Sequence, residues 1–376
     1  MVNRISLATL GWVACLVALL AFSPRVASAR SAGAEIDRLC SVCHATPGLQ
    51  MQLADGTMQS VYVDPQTYAG SVHGSALQCT ACHAGVQAYP HATGDLAQNR
   101  SRNAPELVRK YTACGECHPE QLTEFLGSIH AGELATGNQD SAICSDCHGS
   151  HDIQRADPRE VGLPLGPGVH ACGACHEDQY AQYQTSAHGR ALLEKSDTNV
   201  PACIDCHGSH GMLKATTAVF RAGSPYLCAS CHADEELMAQ YGLSPDVLQT
   251  YVADFHGTTA QLYPHPGTEG AAPAAAVCYD CHGAHDIQYA SDPNSTVSRA
   301  NLVQVCQECH EDASGNFPAA WVGHYAPTPQ KNAPVFWTAQ FFLVLTAGVI
   351  TGMIGHISLD VLRAIFNKLT GGSSDD

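Results

Sequence analysis

Eighteen of the nineteen cysteines in this 376-residue chain lie in one repeated pattern, Cys-x-x-Cys-His. Two thiols at this spacing can add across the two vinyl groups at one edge of a porphyrin, and the adjacent histidine can then bind the iron. The pattern occurs nine times, beginning at Cys40, Cys79, Cys114, Cys144, Cys172, Cys203, Cys228, Cys278 and Cys306. A zinc site or a thiol redox site does not require that histidine nine times. The sequence therefore predicts nine covalently attached haems c.

Each predicted haem uses both cysteines of its motif and the histidine that ends it. The attachment residues are Cys40, Cys43, Cys79, Cys82, Cys114, Cys117, Cys144, Cys147, Cys172, Cys175, Cys203, Cys206, Cys228, Cys231, Cys278, Cys281, Cys306 and Cys309. The proximal iron ligands are His44, His83, His118, His148, His176, His207, His232, His282 and His310.

Nine of the other twelve histidines recur at equivalent places between or after the motifs. Five lie between paired motifs, namely His73, His130, His188, His256 and His324. Four follow even-numbered motifs, namely His91, His151, His210 and His285. The nine motif histidines are matched by nine candidate second ligands, which predicts that every iron has two histidine ligands. His170 or His265 is an alternative to His91 or His256.

The spacing of these histidines excludes some pairings. His118 and His130 are twelve residues apart, which on a helix is a rise of about 18 Å. His148 and His151 are three apart and would share one face of a helix. Neither pair can bind one iron from opposite sides, so each short segment is predicted to hold two neighbouring haems.

Both ends of the chain are apolar. Residues 1–29 read as a secretory signal peptide ending in Ala27-Ser28-Ala29, with an uncleaved signal anchor as the alternative. A second apolar run, Val335–Leu359, is long enough for a transmembrane helix, with a buried core helix as the alternative. A linker at 326–334 precedes it. The cations Arg363 and Lys368 follow it, which favours a cytoplasmic tail at 360–376.

The doubled motif with a histidine three residues after its second copy resembles the periplasmic multihaem cytochromes c of anaerobic respiration. Cys144–His148 with His151, and Cys203–His207 with His210, carry this resemblance, which covers roughly residues 38–326. It implies bis-histidine ligation. The membrane-tethered quinol dehydrogenases of this kind have an N-terminal anchor, whereas the anchor here is C-terminal. The lysine-ligated catalytic haem of some octahaem reductases has no counterpart, since Cys-x-x-Cys-Lys does not occur.

The composition fits a fold built on cofactors. Charged residues are only 14% of the chain and the formal net charge is −17, which excludes an electrostatic nucleic-acid binder. The predicted fold is mainly irregular with short α-helices, such as Glu120–Ile129 and Glu177–Ala187, wrapped around a chain of haems, plus one C-terminal transmembrane helix. The haem domain spans 30–325, with haem-pair repeats at about 40–113, 114–171, 172–227 and 228–305, and a half-repeat at 306–325.

These features predict a membrane-anchored electron-transfer protein in the cytoplasmic membrane of a prokaryote, with its haem domain in the periplasm. Its expected partners are a quinol-oxidising or b-type cytochrome protein of the membrane and periplasmic redox proteins, with electrons passing to periplasmic or extracellular acceptors. The alternative is a reductase of a small nitrogen or sulfur oxyanion, which requires one five-coordinate haem. His356, inside the apolar run, is a candidate contact with the membrane partner.

Overall fold

The computed structural model describes residues 38–52, 56, 58–74, 76–83, 86, 113–155, 169–262, 275–320 and 323–371. The predicted signal peptide, His91 and His265 lie outside these ranges.

Short helices joined by irregular chain make up most of the described structure, which confirms that part of the predicted fold class. Two three-residue strands, β1 (Gln50–Gln52) and β2 (Met58–Ser60), pair antiparallel. The helices up to residue 207 are α1 (Pro65–Gly70), α2 (Cys79–Cys82), α3 (Pro119–Leu126), α4 (Ile129–Ala135), α5 (Cys144–His148), α6 (Val169–Gly173), α7 (Glu177–Thr185), α8 (Ala187–Lys195) and α9 (Cys203–His207). The later helices are α10 (Ala218–His232), α11 (Glu235–Tyr241), α12 (Val247–Ala253), α13 (Phe255–Leu262), α14 (Cys278–His282), α15 (Leu302–Gln307), α16 (Asn316–Ala320) and α17 (Ala333–Leu369).

The two helices predicted over 120–129 and 177–187 are each interrupted by a serine. Ser128 caps α4, since its hydroxyl accepts a hydrogen bond from the Ala131 N–H at 3.2 Å. Ser186, only 1% exposed, lies between α7 and α8. A serine oxygen can satisfy a backbone N–H at a helix start, which favours a new helix over continuation of the old one. The bounds predicted from the sequence were therefore wrong.

The apolar core made by side chains is small. The described chain divides into two compact units, residues 1–184 with 188–214, and residues 185–187 with 215–376. In the first unit, one cluster of buried residues consists of Phe125, Ala131, Leu134 and Ile143. A second cluster consists of Val169, Tyr183, Ala191, Leu192, Val200 and Ala202. The buried hydrophobic residues of the second unit are Ala229, Met238, Tyr251, Val277 and Ala313.

Helix α17 is long and apolar enough to cross a membrane. It has 37 residues, its most apolar stretch has a mean hydropathy of 1.8, and none of that stretch is buried against the protein. About 20 apolar residues suffice to span a hydrocarbon core. The helix begins two residues before the predicted apolar run and continues ten residues past Leu359. Near the end of its second third, His356 Nδ1 lies 3.4 Å from a carboxylate oxygen of Asp360.

Candidate haem-binding sites

Three of the second motifs of the pairs share one local construction. In α5, α9 and α14, the aspartate before the second cysteine accepts a hydrogen bond from the backbone N–H of the residue before the first cysteine. The donors and acceptors are Ile143 and Asp146 at 2.9 Å, Ala202 and Asp205 at 2.8 Å, and Val277 and Asp280 at 2.6 Å. The carboxylate thus caps the helix that presents both thiols.

The glycine after each of these motifs ends the helix. Gly149, Gly208 and Gly283 have φ of 74° to 76°, a left-handed conformation that glycine adopts without a Cβ clash. Because the helix stops at His148, His151 does not continue along the same helical face. The expected shared face was wrong. The inference that these two histidines serve different irons does not depend on it.

Three histidines between paired motifs follow a side-chain cap, His130 and His256 in the first turn of a helix and His73 in a turn. The Ser71 hydroxyl accepts a hydrogen bond from the Gly74 N–H at 3.0 Å, as Ser128 does from Ala131. Asp254 takes the place of serine in the fourth pair and accepts from the Gly257 N–H at 3.0 Å. His73, His130 and His256 each lie two residues after such a cap. The cap therefore fixes the backbone position from which each imidazole extends.

A tyrosine five residues before three of these histidines joins the helix that precedes the histidine to the next motif, and sequence reasoning missed it. Each hydroxyl donates to the carbonyl oxygen two residues before a first cysteine. The contacts are Tyr68 to Leu77 at 2.9 Å, Tyr183 to Pro201 at 2.8 Å and Tyr251 to Ala276 at 2.9 Å. Phe125 holds the equivalent position in the second pair and packs in the apolar cluster instead. The five-residue spacing was the available signal.

The backbone approaches this tyrosine closely. A Cβ added to Gly189, which follows His188, would lie 1.7 Å from the Tyr183 carbonyl oxygen. Gly74 and Gly257 meet Tyr68 and Tyr251 in the same way, at 1.8 and 2.0 Å. A glycine after the histidine is therefore a packing requirement in these three pairs.

Six imidazole pairs face each other at nearly one distance. Their ring centroids are 6.1 to 6.4 Å apart. The pairs are His73 with His118, His83 with His151, His130 with His176, His148 with His210, His256 with His310, and His282 with His324. A metal lies about 2 Å from a bound imidazole nitrogen and about 1 Å more from the ring centre, so opposed ligands have centroids about 6 Å apart. Each pair can hold one haem iron.

The six pairs follow one rule of connectivity. The motif histidine of a first motif faces a histidine from earlier in the chain, as His118 faces His73. The motif histidine of a second motif faces one from later in the chain, as His148 faces His210. His118 and His130 accordingly face different partners, as their spacing requires. Each ligand-bearing segment can thus hold two neighbouring haems.

The angle between the rings separates the pairs into two kinds. At second motifs the ring planes are 23° to 25° apart, and at first motifs they are 42° to 49° apart. His324 was grouped by sequence with the histidines between motifs, yet its angle of 25° to His282 places it with the other kind. Ring orientation therefore follows which motif supplies the proximal histidine.

The first cysteines of paired motifs contact each other. Their side chains hydrogen-bond in three pairs, Cys114 with Cys144, Cys172 with Cys203, and Cys228 with Cys278. The hydrogen bond from Cys144 lowers the pKa of the Cys114 thiol to about 7 and raises the pKa of Cys144. The contacts place the attachment cysteines of two motifs side by side within each of these three pairs.

Burial favours the metal-binding form of the histidines. Burial, with His324 and His232 nearby, lowers the pKa of His282 to about 4. Burial likewise lowers the pKa of His148 and His130. The neutral imidazole is the form that binds a metal. The lowered pKa values therefore favour the neutral form of these side chains, which can bind iron.

Arg221 is a further residue that the sequence did not single out. It lies on α10, whose last turn carries the motif of Cys228, and its guanidinium bonds the carboxylate of Asp280 in the motif of Cys278. It also donates to the Ala275 carbonyl oxygen at 2.9 Å. A planar guanidinium suits such a paired contact. Arg221 thus fixes the two motifs of the fourth pair to each other.

Two further histidines, His170 and His44, lie within hydrogen-bond distance of oxygen atoms. The Tyr180 hydroxyl lies 2.8 Å from His170 Nδ1, and the two rings meet edge to face. His44 Nδ1 lies 2.7 Å from the Val61 carbonyl oxygen, a contact that orients the imidazole. The second ligands of the irons at His44, His207 and His232 stay predictions, as do the roles of His188 and His285.

Comparison with known proteins supports the haem assignment for one segment. A family model described as the doubled CXXCH motif matches residues 196–237, which contain the motifs of Cys203 and Cys228. Comparison with curated proteins and with solved structures gave no match. The segment is similar to multihaem c-type cytochromes, and its motifs imply covalent haem c.

Proposed function

We propose that this chain is a nonahaem cytochrome c that conducts electrons along a row of bis-histidine haems. The six centroid distances of 6.1 to 6.4 Å between facing imidazoles carry this proposal. They support His73, His130, His151, His210, His256 and His324 as second ligands. The repeat positions of His91, His188 and His285 complete the proposed set.

Ligation by two histidines favours electron transfer over catalysis. Haem supplies an iron that changes between two oxidation states, and an iron with both axial positions filled has no site for a substrate. The cysteine contacts within pairs and the shared ligand segments between pairs keep successive haems adjacent. Bis-histidine ligation also favours lower potentials than methionine ligation, which suits donation from a quinol pool.

Helix α17 supports a location in the cytoplasmic membrane, with the haem domain on the periplasmic side. Arg363 and Lys368 follow the apolar run, and cations near a span favour the cytoplasmic side. In this orientation the haem domain lies outside the cytoplasm, where c-type haem is attached. A membrane protein that oxidises quinol is the proposed donor, and periplasmic redox proteins are the proposed acceptors.

Nine covalent haems are expected in the mature protein, and all nine are expected to be low-spin when oxidised. Intact mass after removal of residues 1–29 tests the number, and EPR of the full-length protein in detergent tests the spin state. Eight or fewer haems in fully matured protein would contradict the count. A high-spin ferric signal equivalent to one haem would contradict the electron-transfer proposal and favour the reductase.

Substitution of a second ligand by methionine is expected to raise the potential of one haem and leave nine attached. His130→Met and His324→Met test a ligand of each kind, because their rings face His176 and His282. Methionine donates less electron density than imidazole and favours ferrous iron. A redox titration followed by absorbance measures the shift.

His170→Met is the matched control, since the His170 ring contacts Tyr180. Its titration is expected to overlay that of the parent. If His130→Met and His324→Met also overlay the parent, these two histidines are not iron ligands.

A further inference from the structure

We propose that Glu124 lowers the reduction potential of the haem at Cys144–His148 by placing a carboxylate behind its second ligand, His210. This inference rests on the proposed ligation of that iron by His148 and His210. Glu124 would act through His210 and not on the iron directly, so it is a positioning residue for electron transfer.

The carboxylate lies at the Nδ1 edge of the His210 ring. A carboxylate oxygen of Glu124 is 3.4 Å from His210 Nδ1, while the His210 ring faces His148 at 6.1 Å with planes 25° apart. An imidazole that binds iron through Nε2 keeps its hydrogen on Nδ1. That N–H then points toward the negative charge.

Backbone contacts hold the two segments side by side. The Ile129 N–H donates to the Met212 carbonyl oxygen at 2.8 Å, which joins the start of α4 to the segment after His210. A Cβ added to Gly211 would lie 3.9 Å from the Glu124 carbonyl oxygen, so α3 also approaches this segment. The position of Glu124 beside His210 is therefore set by backbone packing as well as by its own side chain.

His324 has the same facing geometry, and the Asp254 carboxylate that lies near it makes no hydrogen bond to its Nδ1. Its ring faces His282 at 6.1 Å with planes 25° apart, as for His210 and His148. Its Nδ1 is buried and, among the residues described, has no hydrogen-bond partner. The two irons thus differ at the outer nitrogen of the second ligand.

The repeats place a carboxylate at this position once. Glu124 lies six residues before His130, and the residues six before His73, His188 and His256 are Thr67, Gln182 and Thr250. Glutamine and threonine at the equivalent positions are compatible with the fold. The fold of the repeat therefore does not require a negative charge at this position.

A carboxylate next to the outer N–H of a ligating imidazole makes the imidazole a stronger donor. A stronger donor and a nearby negative charge both stabilise ferric over ferrous iron, which lowers the potential. The side chain of Glu124 is 60% exposed, so water and salt weaken the effect. A low-potential haem near the middle of the motif order would bias where electrons reside along the row.

Glu124→Gln in the full-length holoprotein tests the proposal, since it keeps the shape of the side chain and removes the charge. At a fixed applied potential, the ratio of reduced to oxidised iron at one haem is expected to rise between about threefold and tenfold. At 59 mV per tenfold change for one electron, this is about 30–60 mV. Glu124→Asp is expected to restore part of the parent value.

Glu120→Gln is the matched control, because it removes the same charge from the first turn of the same helix. It is expected to leave the ratio at every haem within the error of the titration. His210→Met identifies the haem concerned by shifting its potential. If His210→Met shifts one haem and Glu124→Gln leaves it unchanged, the role of Glu124 is refuted and the ligation stands. If His210→Met shifts none, the ligation is refuted, and the proposed role of Glu124 with it.

Discussion

Without haem attachment, the part of the chain before α17 is expected to be unfolded. Among the described residues of the first unit, the side-chain core consists of small clusters, one of four buried residues and one of six. A chain of this length normally needs a much larger apolar interior to offset its conformational entropy. Porphyrin faces would supply that interior, and the thioether and axial bonds would fix the chain to it.

Replacement of all eighteen motif cysteines by alanine tests this expectation. Far-UV circular dichroism is expected to lose most of the helical signal outside α17, and limited proteolysis is expected to digest the chain up to the membrane. Cys15→Ala is the control, because it changes the one cysteine outside the motifs. It is expected to leave nine haems attached and the protein resistant to protease. A cooperative unfolding transition in the variant without motif cysteines would show that side chains alone define the fold.

The sequence identified candidate ligand residues, whereas the bounds of the helices that carry some of them could not be read from it. Haem attachment requires fixed residue types at fixed spacing, so the sequence alone predicts the attachment motifs. Helix bounds depend on competition between hydrogen bonds within the helix and hydrogen bonds from side chains to the backbone. Gly127-Ser128 and Ser186 end one helix and start another, because a serine oxygen can bond the first N–H groups of a new helix. A continuous helical reading of 120–129 ignored that competition.

The pairing of histidines could be limited from sequence but not assigned. Spacing excluded that His118 and His130 bind the same iron. The imidazoles that face them, those of His73 and His176, come from neighbouring repeats. Contacts of that separation are decided by tertiary packing. The contact of Glu124 with His210 is of the same kind, since nothing in the local sequence distinguishes Glu124 from other exposed glutamates of the helices.

Truncation after Asn332 is expected to move the protein from the membrane fraction to the soluble fraction with nine haems still attached. Helix α17 begins at Ala333, and its apolar side chains are exposed along its length. Its transfer from water to a hydrocarbon core is favourable at about 25 cal/mol per Å² of apolar surface, which makes insertion effectively irreversible. Fractionation followed by haem staining measures the result. A truncated protein that stays in the membrane fraction would show that a second membrane attachment exists.

The same helix is proposed to contact the quinol-oxidising partner, and an anchor exchange separates this role from tethering. Gly348, Gly352 and Gly355 share one smooth face, because they lie four and three residues apart on the helix. A Cβ at each would meet nothing within 4 Å. Small residues at such spacing allow close helix contact in membranes. His356 adjoins this face and lies near Asp360, a polar pair that is costly in lipid unless protein or water surrounds it.

Replacement of α17 by an apolar leucine and alanine helix of equal length is expected to keep the protein in the membrane and slow its reduction by quinol. His356→Ala in the native helix is expected to slow reduction in the same direction. Reduction at the parent rate in both variants would mean that α17 acts only as a tether.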